Sequence, residues 1–87
     1  MANDNFTEFD VIRDVDGVVL AVLTYRIRPN GGRVISFSFM REFDDGGAMR
    51  RTCWLSGRHA KAVQRLLPRI EARLAEEEHD ASHAAAR

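Results

Sequence analysis

The chain has 87 residues with 13 basic and 13 acidic side chains, a formal net charge of zero and one cysteine. A single cysteine excludes an internal disulfide and a cysteine-pair zinc site, and no apolar run approaches the roughly 20 residues of a membrane helix. We therefore expect one small cytoplasmic domain with no membrane segment and no secretory leader. A chain of this length buries only about 60 to 65% of its unfolded surface, so an oligomer is expected as well.

The zero net charge is the sum of three unequal segments. Residues 1–24 have a formal charge of −4, residues 25–75 of +7 and residues 76–87 of −3. Twelve of the thirteen cations are arginine. The planar guanidinium group of arginine can donate two hydrogen bonds to a phosphate and can stack on aromatic rings. This distribution predicts an anionic partner for the middle segment, or acidic ends that shield it.

Three dipeptides in the first half of the chain are typical of two-residue hairpin turns, because Asp-Gly and Asn-Gly accept the positive φ angles of type I′ turns. They are Asp16-Gly17, Asn30-Gly31 and Asp45-Gly46. The segments between them are rich in Val, Ile, Phe and Thr, which favours strands. We predict strands at residues 6–15, 18–28, 33–43 and 48–55, joined as an antiparallel meander.

Beyond Ser56 the hydrophobic period changes to that of a helix. Ser56 is a suitable N-cap, and good helix formers continue to Glu78. Pro68 lies inside this segment and is expected to kink or split the helix. The apolar residues that recur at helical spacing are Val63, Leu66, Leu67, Ile70 and Leu74.

These elements define an α+β fold, a four-stranded antiparallel β-meander followed by one C-terminal α-helix (ββββα). We place this single domain at residues 6–78. The flanking residues 1–5 and 79–87 are expected to be disordered.

Two-residue turns determine which strand residues share a face of the sheet. One predicted face contains Val19, Ala21 and Leu23, has several small side chains, and is assigned to the helix. The other face is left open and collects most of the aromatic rings and several arginines. The candidate nucleic-acid-binding residues chosen from this open face are Arg26, Arg33, Arg41, Arg50, Phe37, Phe39, Phe43 and Trp54.

The open aromatic face has two interpretations. The predicted register places Arg41 directly opposite Arg50, and like charges in a cross-strand pair are destabilising unless an anion such as phosphate lies between them. Rings interleaved with arginine also provide stacking surfaces for the bases of a single strand. Alternatively, the rings form a second core between the sheets of a homodimer, since large exposed apolar faces mark interfaces.

The predicted helix carries a second positively charged surface, which we call the basic ridge. Its five members step by three or four residues and so share one side of the helix, away from the apolar stripe. They are Arg58, Lys61, Arg65, Arg69 and Arg73. Only Arg73 has acidic residues one turn further on, so the ridge is expected to be unneutralised and to meet phosphates or an acidic partner.

Residues suited to catalysis are few. His59 is the one histidine in the predicted fold, and neither Cys53 nor Ser56 forms with it a motif that contains a third orienting group. Cys53 is expected to be a small core residue. Each glycine cluster is explained by a turn, so no phosphate-binding glycine loop is predicted. We expect no enzyme activity, no cofactor and no metal site.

A set of short motifs resembles a known family of single-stranded-DNA-binding proteins. The matching residues are Arg41-Glu42-Phe43, the Gly46-Gly47 turn, Met49-Arg50 and the Leu55-Ser56 step into the helix. They are similar to the strand motif of the transcriptional coactivator positive cofactor four, whose fold is shared by the Whirly proteins and the Pur-alpha repeats. The resemblance covers about residues 35–70, and Arg13-Asp14, Gly17 and Val19-Leu20 offer a second register for it. It implies a homodimer, assembled partly through its C-terminal helices, that holds single strands on its sheets without sequence specificity.

These features together predict a homodimeric, non-enzymatic, coactivator-like protein that binds single-stranded DNA or RNA on an arginine and aromatic sheet face. The alternative is a protein interaction or dimerisation module whose basic helix meets an acidic partner. Both interpretations place the partner on the positively charged middle segment of the chain.

Overall fold

The computed structural model describes residues 6–85, with side chains described for residues 6–79. Its elements are β1 (Thr7–Arg13), β2 (Val19–Ile27), β3 (Arg33–Asp45), β4 (Ala48–Thr52), a short 3-10 turn (Gly57–His59) and α1 (Ala60–Ala85). The four strands form one antiparallel sheet in the order β1-β2-β3-β4. The predicted ββββα fold of the α+β class is therefore confirmed.

The helical segment begins as the sequence predicts and ends later. Ser56 is the N-cap with extended backbone angles, φ −90° and ψ 170°, and its backbone N–H donates to Nδ1 of His59 at 3.0 Å. The helix continues to Ala85 instead of ending at Glu78. The expectation of disorder at residues 1–5 and 86–87 lies outside the described residues.

Pro68 lies within α1 without splitting it. Proline has no N–H to donate to the carbonyl of Gln64, four residues earlier. Both Gln64 and Pro68 are exposed, so water can hydrate the carbonyl that proline leaves unpaired. The proline is tolerated because it lies on the solvent side of the helix.

The loop between β2 and β3 is longer than predicted. Ile27 pairs with Arg33, so residues 28–32 form the connection instead of a two-residue Asn30-Gly31 turn. The Asn30 side chain accepts the N–H of Gly32 at 2.8 Å, and the N–H of Arg28 donates to the Gly32 carbonyl at 2.7 Å. These bonds keep Gly32 in the loop, so the connection has five residues instead of two. The prediction of which β3 side chains share a face with which β2 side chains is therefore wrong.

The turn between β3 and β4 is shifted by one residue from its predicted position. Asp45 pairs with Ala48 across Gly46 and Gly47, whose φ angles of 65° and 91° are those that a type I′ turn requires. Asp44 caps the turn by accepting the N–H of Gly47 at 2.8 Å. The predicted pair Arg41 and Arg50 is therefore wrong: Arg41 lies opposite Thr52, and Phe43 lies opposite Arg50.

The hydrophobic core lies between α1 and one face of the sheet. Leu23 of β2 and Leu66 and Ile70 of α1 are buried there, and α1 lies over β1 and β2. The helix therefore covers the face to which it was assigned. The buried cluster is Val19, Ala21, Leu23, Ala62, Leu66 and Ile70, with Phe9, Ile12, Phe39, Val63 and Leu74 packed around it.

The opposite face of the sheet is closed without a helix. Leu20 and Val22 are 0% and 4% exposed there, and a network of ion pairs extends across the same face. The network joins Arg13 to Glu42 at 2.7 Å, Glu42 to Arg51 at 3.2 Å and Arg51 to Glu8 at 3.0 Å. The flanking strands β1 and β4 would be about 14 Å apart in a flat sheet, so the Glu8 to Arg51 contact indicates that the sheet curls towards this side. The prediction that the face with Leu20 and Val22 is open is wrong.

Among the described residues, no helix combines the length and the apolar character needed to cross a lipid bilayer. α1 is long enough at 26 residues, but charged side chains occur along its entire described length. Its apolar residues form one stripe, which faces the sheet.

Candidate nucleic-acid interface

The open surface of the sheet lies on the same side as α1. The helix lies over β1 and β2, so the β3 and β4 half of that face has no helix above it. The exposed side chains of this half include Phe37 at 42% and Phe43 at 38%. Trp54 follows β4 and is 80% exposed, and its backbone N–H donates to Oγ1 of Thr52 at 3.2 Å.

Most of the predicted site residues remain together on this face. Alternate positions of β3 supply Arg33, Phe37, Phe39, Arg41 and Phe43, and Arg50 lies opposite Phe43. Arg26 pairs with Val34 and lies on the other face of the sheet, where its guanidinium lies 5.5 Å from the Phe6 ring centroid. The structure thus separates Arg26 from the other candidates.

The candidates divide along β3 into three groups. At the end near the β2–β3 loop, Arg33 forms an ion pair with Glu77 at 3.0 Å. Its guanidinium carbon lies 4.4 Å from the centroid of the Tyr25 ring, so the Arg33 guanidinium is both ion-paired and stacked within the chain. In the middle, Phe37 and Phe39 contact each other edge to face, with centroids 5.7 Å apart. At the far end lie Arg41, Phe43, Arg50 and Trp54, which we call the Arg/Trp patch.

Arg41 is the least satisfied cation of this surface. Its Nε atom is buried and has no hydrogen-bond partner among the described residues, and its guanidinium carbon lies 5.8 Å from the Phe43 ring centroid. No carboxylate of residues 6–79 forms an ion pair with it. A buried donor of a charged group is costly unless it is paired, so this position favours an anion.

Cationic side chains are concentrated in the segment that leads into α1. Between Gly46 and Ile70 there are six cations and no acidic residue, and the first turn of α1 contains no acid that would offset the helix dipole. Arg50 pairs with Asp45 at 3.1 Å, but both side chains are about 60% exposed, so this pair is weak. Arg58 and Lys61 are exposed, and neither forms an ion pair with another described side chain.

Three of the five members of the basic ridge are bound by β1 and the turn after it, which contradicts the prediction for that part of the ridge. Arg65 binds both carboxylate oxygens of the buried Asp14, with Nε to Oδ1 at 2.9 Å. Arg73 donates to Asp10 at 2.7 Å and to Glu77 at 3.1 Å. Arg69 donates to the carbonyl of Arg13 at 2.6 Å. This C-terminal part of the ridge is satisfied within the chain because it lies along β1, whereas Arg58 and Lys61 form no ion pair with another described side chain.

Asp14 has a role that was not predicted from the sequence. The Arg65 guanidinium that donates to its carboxylate lowers the pKa of Asp14 below its usual value. The spacing of the residues along the sequence could have predicted this pair. Residues 10 and 14 are about 14 Å apart in an extended strand, and residues 65 and 73 are about 12 Å apart in a helix. Acids on one element and arginines on the other can therefore meet in pairs.

Among the residues considered for catalysis, Ser56 and His59 contact each other at the start of the helical segment, with Ser56 Oγ 3.3 Å from Nδ1 of His59. His59 is buried, and its Nδ1 accepts the Ser56 N–H. Cys53 is exposed, so the prediction that it belongs to the core is wrong. In the described part of the chain there is neither a pocket nor a group of three or more possible metal ligands.

Comparison with known proteins returns no matching family model, no matching curated protein and no matching solved structure. The resemblance to the single-stranded-DNA-binding coactivator family therefore stays a prediction from the motifs around Arg41 and Phe43.

Proposed function

We propose that this chain is a non-enzymatic, cytoplasmic protein that binds single-stranded nucleic acid through the Arg/Trp patch. The observation that carries the proposal is Arg41, a cation with a buried, unpartnered Nε, next to an exposed aromatic surface. A single strand has charged phosphates and bases that stack, so its binding site requires cations and exposed rings. The patch has both, and the sequence from Gly46 to Ile70 contains no acidic residue.

Each part of a single strand has a partner in this patch. Arg41 and Arg50 supply planar forks for phosphate oxygens. Trp54 and Phe43 supply exposed ring faces on which bases stack, and each stacked base contributes about 1–3 kcal/mol. Arg58 and Lys61, near the start of α1, add to the potential that attracts the backbone. None of these contacts reads a base edge, so we expect little sequence specificity.

The motif resemblance supports the same location. Within Arg41-Glu42-Phe43, Arg41 and Phe43 lie on the patch side of β3, whereas Glu42 lies on the other face in the ion-pair network. The alternative, in which the basic helix meets an acidic partner, has less support, because Arg65 and Arg73 are already bound by acids of their own chain. A coactivator-like role stays part of the proposal.

The proposal is tested by fluorescence anisotropy with a labelled oligothymidine strand at about 50 mM salt, where screening is weak. We expect Trp54→Ala to weaken binding about 5- to 150-fold, the equivalent of one lost stacked base. Arg41→Gln should also weaken it, because a phosphate contact is lost. Circular dichroism would check that each variant keeps the fold.

Two matched control variants distinguish binding at the Arg/Trp patch from non-specific binding elsewhere on the surface. Met49→Ala removes a side chain that is 65% exposed from the same hairpin, but from the other face of the sheet. Arg28→Gln removes an exposed arginine from the β2–β3 loop, at the opposite end of the sheet. Both should bind as the wild type does. Absence of binding by the wild type, or equal losses in all four variants, would overturn the proposal.

A further inference from the structure

β3 has a free hydrogen-bonding edge along more than half of its length. It pairs with β2 from Arg33 to Arg41, but β4 pairs only with its last residues, from Arg41 to Asp45. On the β4 side, residues 33–40 therefore have no neighbouring strand within the described part of the chain. We call this stretch the open edge of β3, and at strand geometry it is about 27 Å long.

The hydrogen-bonding groups of the open edge belong to alternate residues. The N–H of Glu42 donates to the carbonyl of Val18 at 3.0 Å, and successive residues of an antiparallel strand bond to opposite neighbours. The even-numbered residues of β3 therefore bond to β2, whereas the N–H and C=O groups of Ile35, Phe37 and Phe39 face the open edge. No loop or side chain of the described residues hydrogen-bonds these groups. Unpaired groups in such a row are a template for a further strand.

The other two edges of the sheet are protected. On β1, Oδ1 of Asp10 accepts the N–H of Val11 at 2.8 Å, and Arg69 donates to the carbonyl of Arg13 at 2.6 Å. The register of β1 also shifts between Glu8 and Asp10, as at a bulge. β4 is only five residues long, and two of them are arginines. Short strands, charges and bulges are the devices that prevent an edge from pairing with another chain.

The open edge of β3 has none of these devices. Residues 34–40 contain no charged residue and no proline, and their pairing with β2 is regular. The side chains on the face that carries α1 include Phe37 and Phe39, and those on the other face include Ser36 and Ser38. A strand paired here would place alternate side chains beside the rings and the remaining ones beside the serines.

We propose that the open edge binds an extended, uncharged peptide segment of another protein as an additional antiparallel strand. Backbone hydrogen bonds provide the affinity of this mode of recognition, and the pattern of alternate side chains provides its specificity. The matching segment has apolar residues on the side of the rings and small polar residues on the side of the serines. This interaction goes beyond the proposed nucleic-acid binding, since the Arg/Trp patch lies at the other end of β3.

A second copy of the chain does not fit along the full open edge. Arg41 already pairs with Thr52, so antiparallel pairing of residues 33–40 of two copies would place Thr52 of one copy where Gly32 of the other lies. Parallel pairing of the same residues would overlap β4 of one copy with β3 of the other. A peptide segment without flanking strands avoids both overlaps.

The test uses a fluorescein-labelled synthetic peptide of about eight alternating valine and threonine residues, long enough to cover the open edge. Its binding is measured by fluorescence anisotropy up to about 500 μM protein, and we expect saturation within this range. Directly opposite residues of antiparallel strands share a face and exchange hydrogen bonds, so the valines beside the rings are the residues that bond to β3. N-methylation of the valines should weaken binding at least about tenfold, because those N–H groups are lost. N-methylation of the threonines, whose N–H groups face away from β3, is the matched control and should leave binding unchanged.

A pair of protein variants tests the same contact from the other side. Ile35→Pro removes an N–H that faces the open edge and that β2 does not use, a position at which a strand tolerates proline. It should weaken peptide binding at least about tenfold. Ile35→Ala shortens the side chain but keeps the N–H, so it should weaken binding by no more than about fivefold. Circular dichroism would check that both variants keep the fold.

No binding of the unmodified peptide, equal affinities of the two N-methylated peptides, or equal losses in the two Ile35 variants would contradict the inference. A peptide-free chain whose molar mass by light scattering falls on Ile35→Pro would show that a second copy occupies the edge, and would overturn it as well. Both variants should bind oligothymidine as the wild type does, because neither alters the Arg/Trp patch. A failure of peptide binding therefore leaves the proposed function standing, and a failure of oligothymidine binding leaves this inference standing.

Discussion

Asp14 illustrates how a single side chain connects the sheet to the helix. Its carboxylate is almost fully buried and is held by two hydrogen bonds from Arg65. A carboxylate that is ionised and paired in the folded state has a lowered pKa, and this difference from the unfolded chain is a contribution to stability. The pair was not predicted from the sequence, since Arg65 is 51 residues away from Asp14 along the chain.

The pairing of Asp14 predicts how stability depends on pH. Because its folded pKa lies below its unfolded pKa of about 3.9, the contribution is fully present above that value and is lost as the pH falls through the folded pKa. Asp14→Asn should therefore lower the free energy of unfolding at pH 7 and flatten its fall in acid. Urea unfolding between pH 7 and pH 2.5 measures both effects.

Asp45→Asn is the control for this prediction, since the Asp45 carboxylate is 60% exposed in its pair with Arg50. It should change the free energy of unfolding little at any pH. An Asp14→Asn variant that is as stable as the wild type at pH 7, with the same acid transition, would contradict the role assigned to the Arg65 pair.

At the scale of the elements, an even or odd number of residues in a hairpin loop decides which residues of the two strands share a face. The β2–β3 connection has five residues instead of two, which reverses the face of every β3 side chain relative to β2. This single difference separates Arg26 from the other candidates. The β3–β4 turn lies one residue later than predicted and still has two residues. This shifts the pairing of β4 with β3 by two residues, so Phe43 and Arg50 remain on the same face of the sheet. The strands and the helix were predictable from hydrophobic period and turn residues, but the register depended on the Asn30 side chain.

α1 provides a second prediction at this scale. Proline in a helix interior costs about 3 kcal/mol relative to alanine, and it lowers the entropy of the unfolded chain by an equivalent of about 0.4–1 kcal/mol. Pro68 is exposed and removes only one helical hydrogen bond. Pro68→Ala should therefore raise the free energy of unfolding by roughly 2 kcal/mol, measured by urea denaturation.

Gln64→Ala, one turn earlier on the same exposed side, is the comparison for Pro68→Ala. It alters helix propensity only slightly and should change the free energy of unfolding by less than about 0.5 kcal/mol. A Pro68→Ala variant that is less stable than the wild type would show that the proline shapes α1 in a way that its packing on the sheet requires.

At the scale of the whole molecule, the oppositely charged segments of the chain form ion pairs with one another. Acids of the first segment bind arginines of the middle one, as Glu8 does with Arg51 and Asp14 with Arg65. Glu77 of the last segment binds Arg33 and Arg73. The shielding by acidic ends that the sequence suggests is thus real for these arginines. Arg41, Arg58 and Lys61 form none of these ion pairs, so we propose the anionic partner at this end of the molecule.

Binding of a single strand by the Arg/Trp patch is tested most directly by the salt dependence of oligothymidine affinity. Arg41 and Arg50, with Arg58 and Lys61 near the start of α1, allow two to four phosphate contacts, and each contributes about −0.7 to the slope of log Kobs against log salt. We predict a slope of about −1.4 to −2.8 for the wild type, reduced in magnitude by about 0.7 in Arg41→Gln. A slope near zero, or the same slope in both proteins, would contradict binding through Arg41.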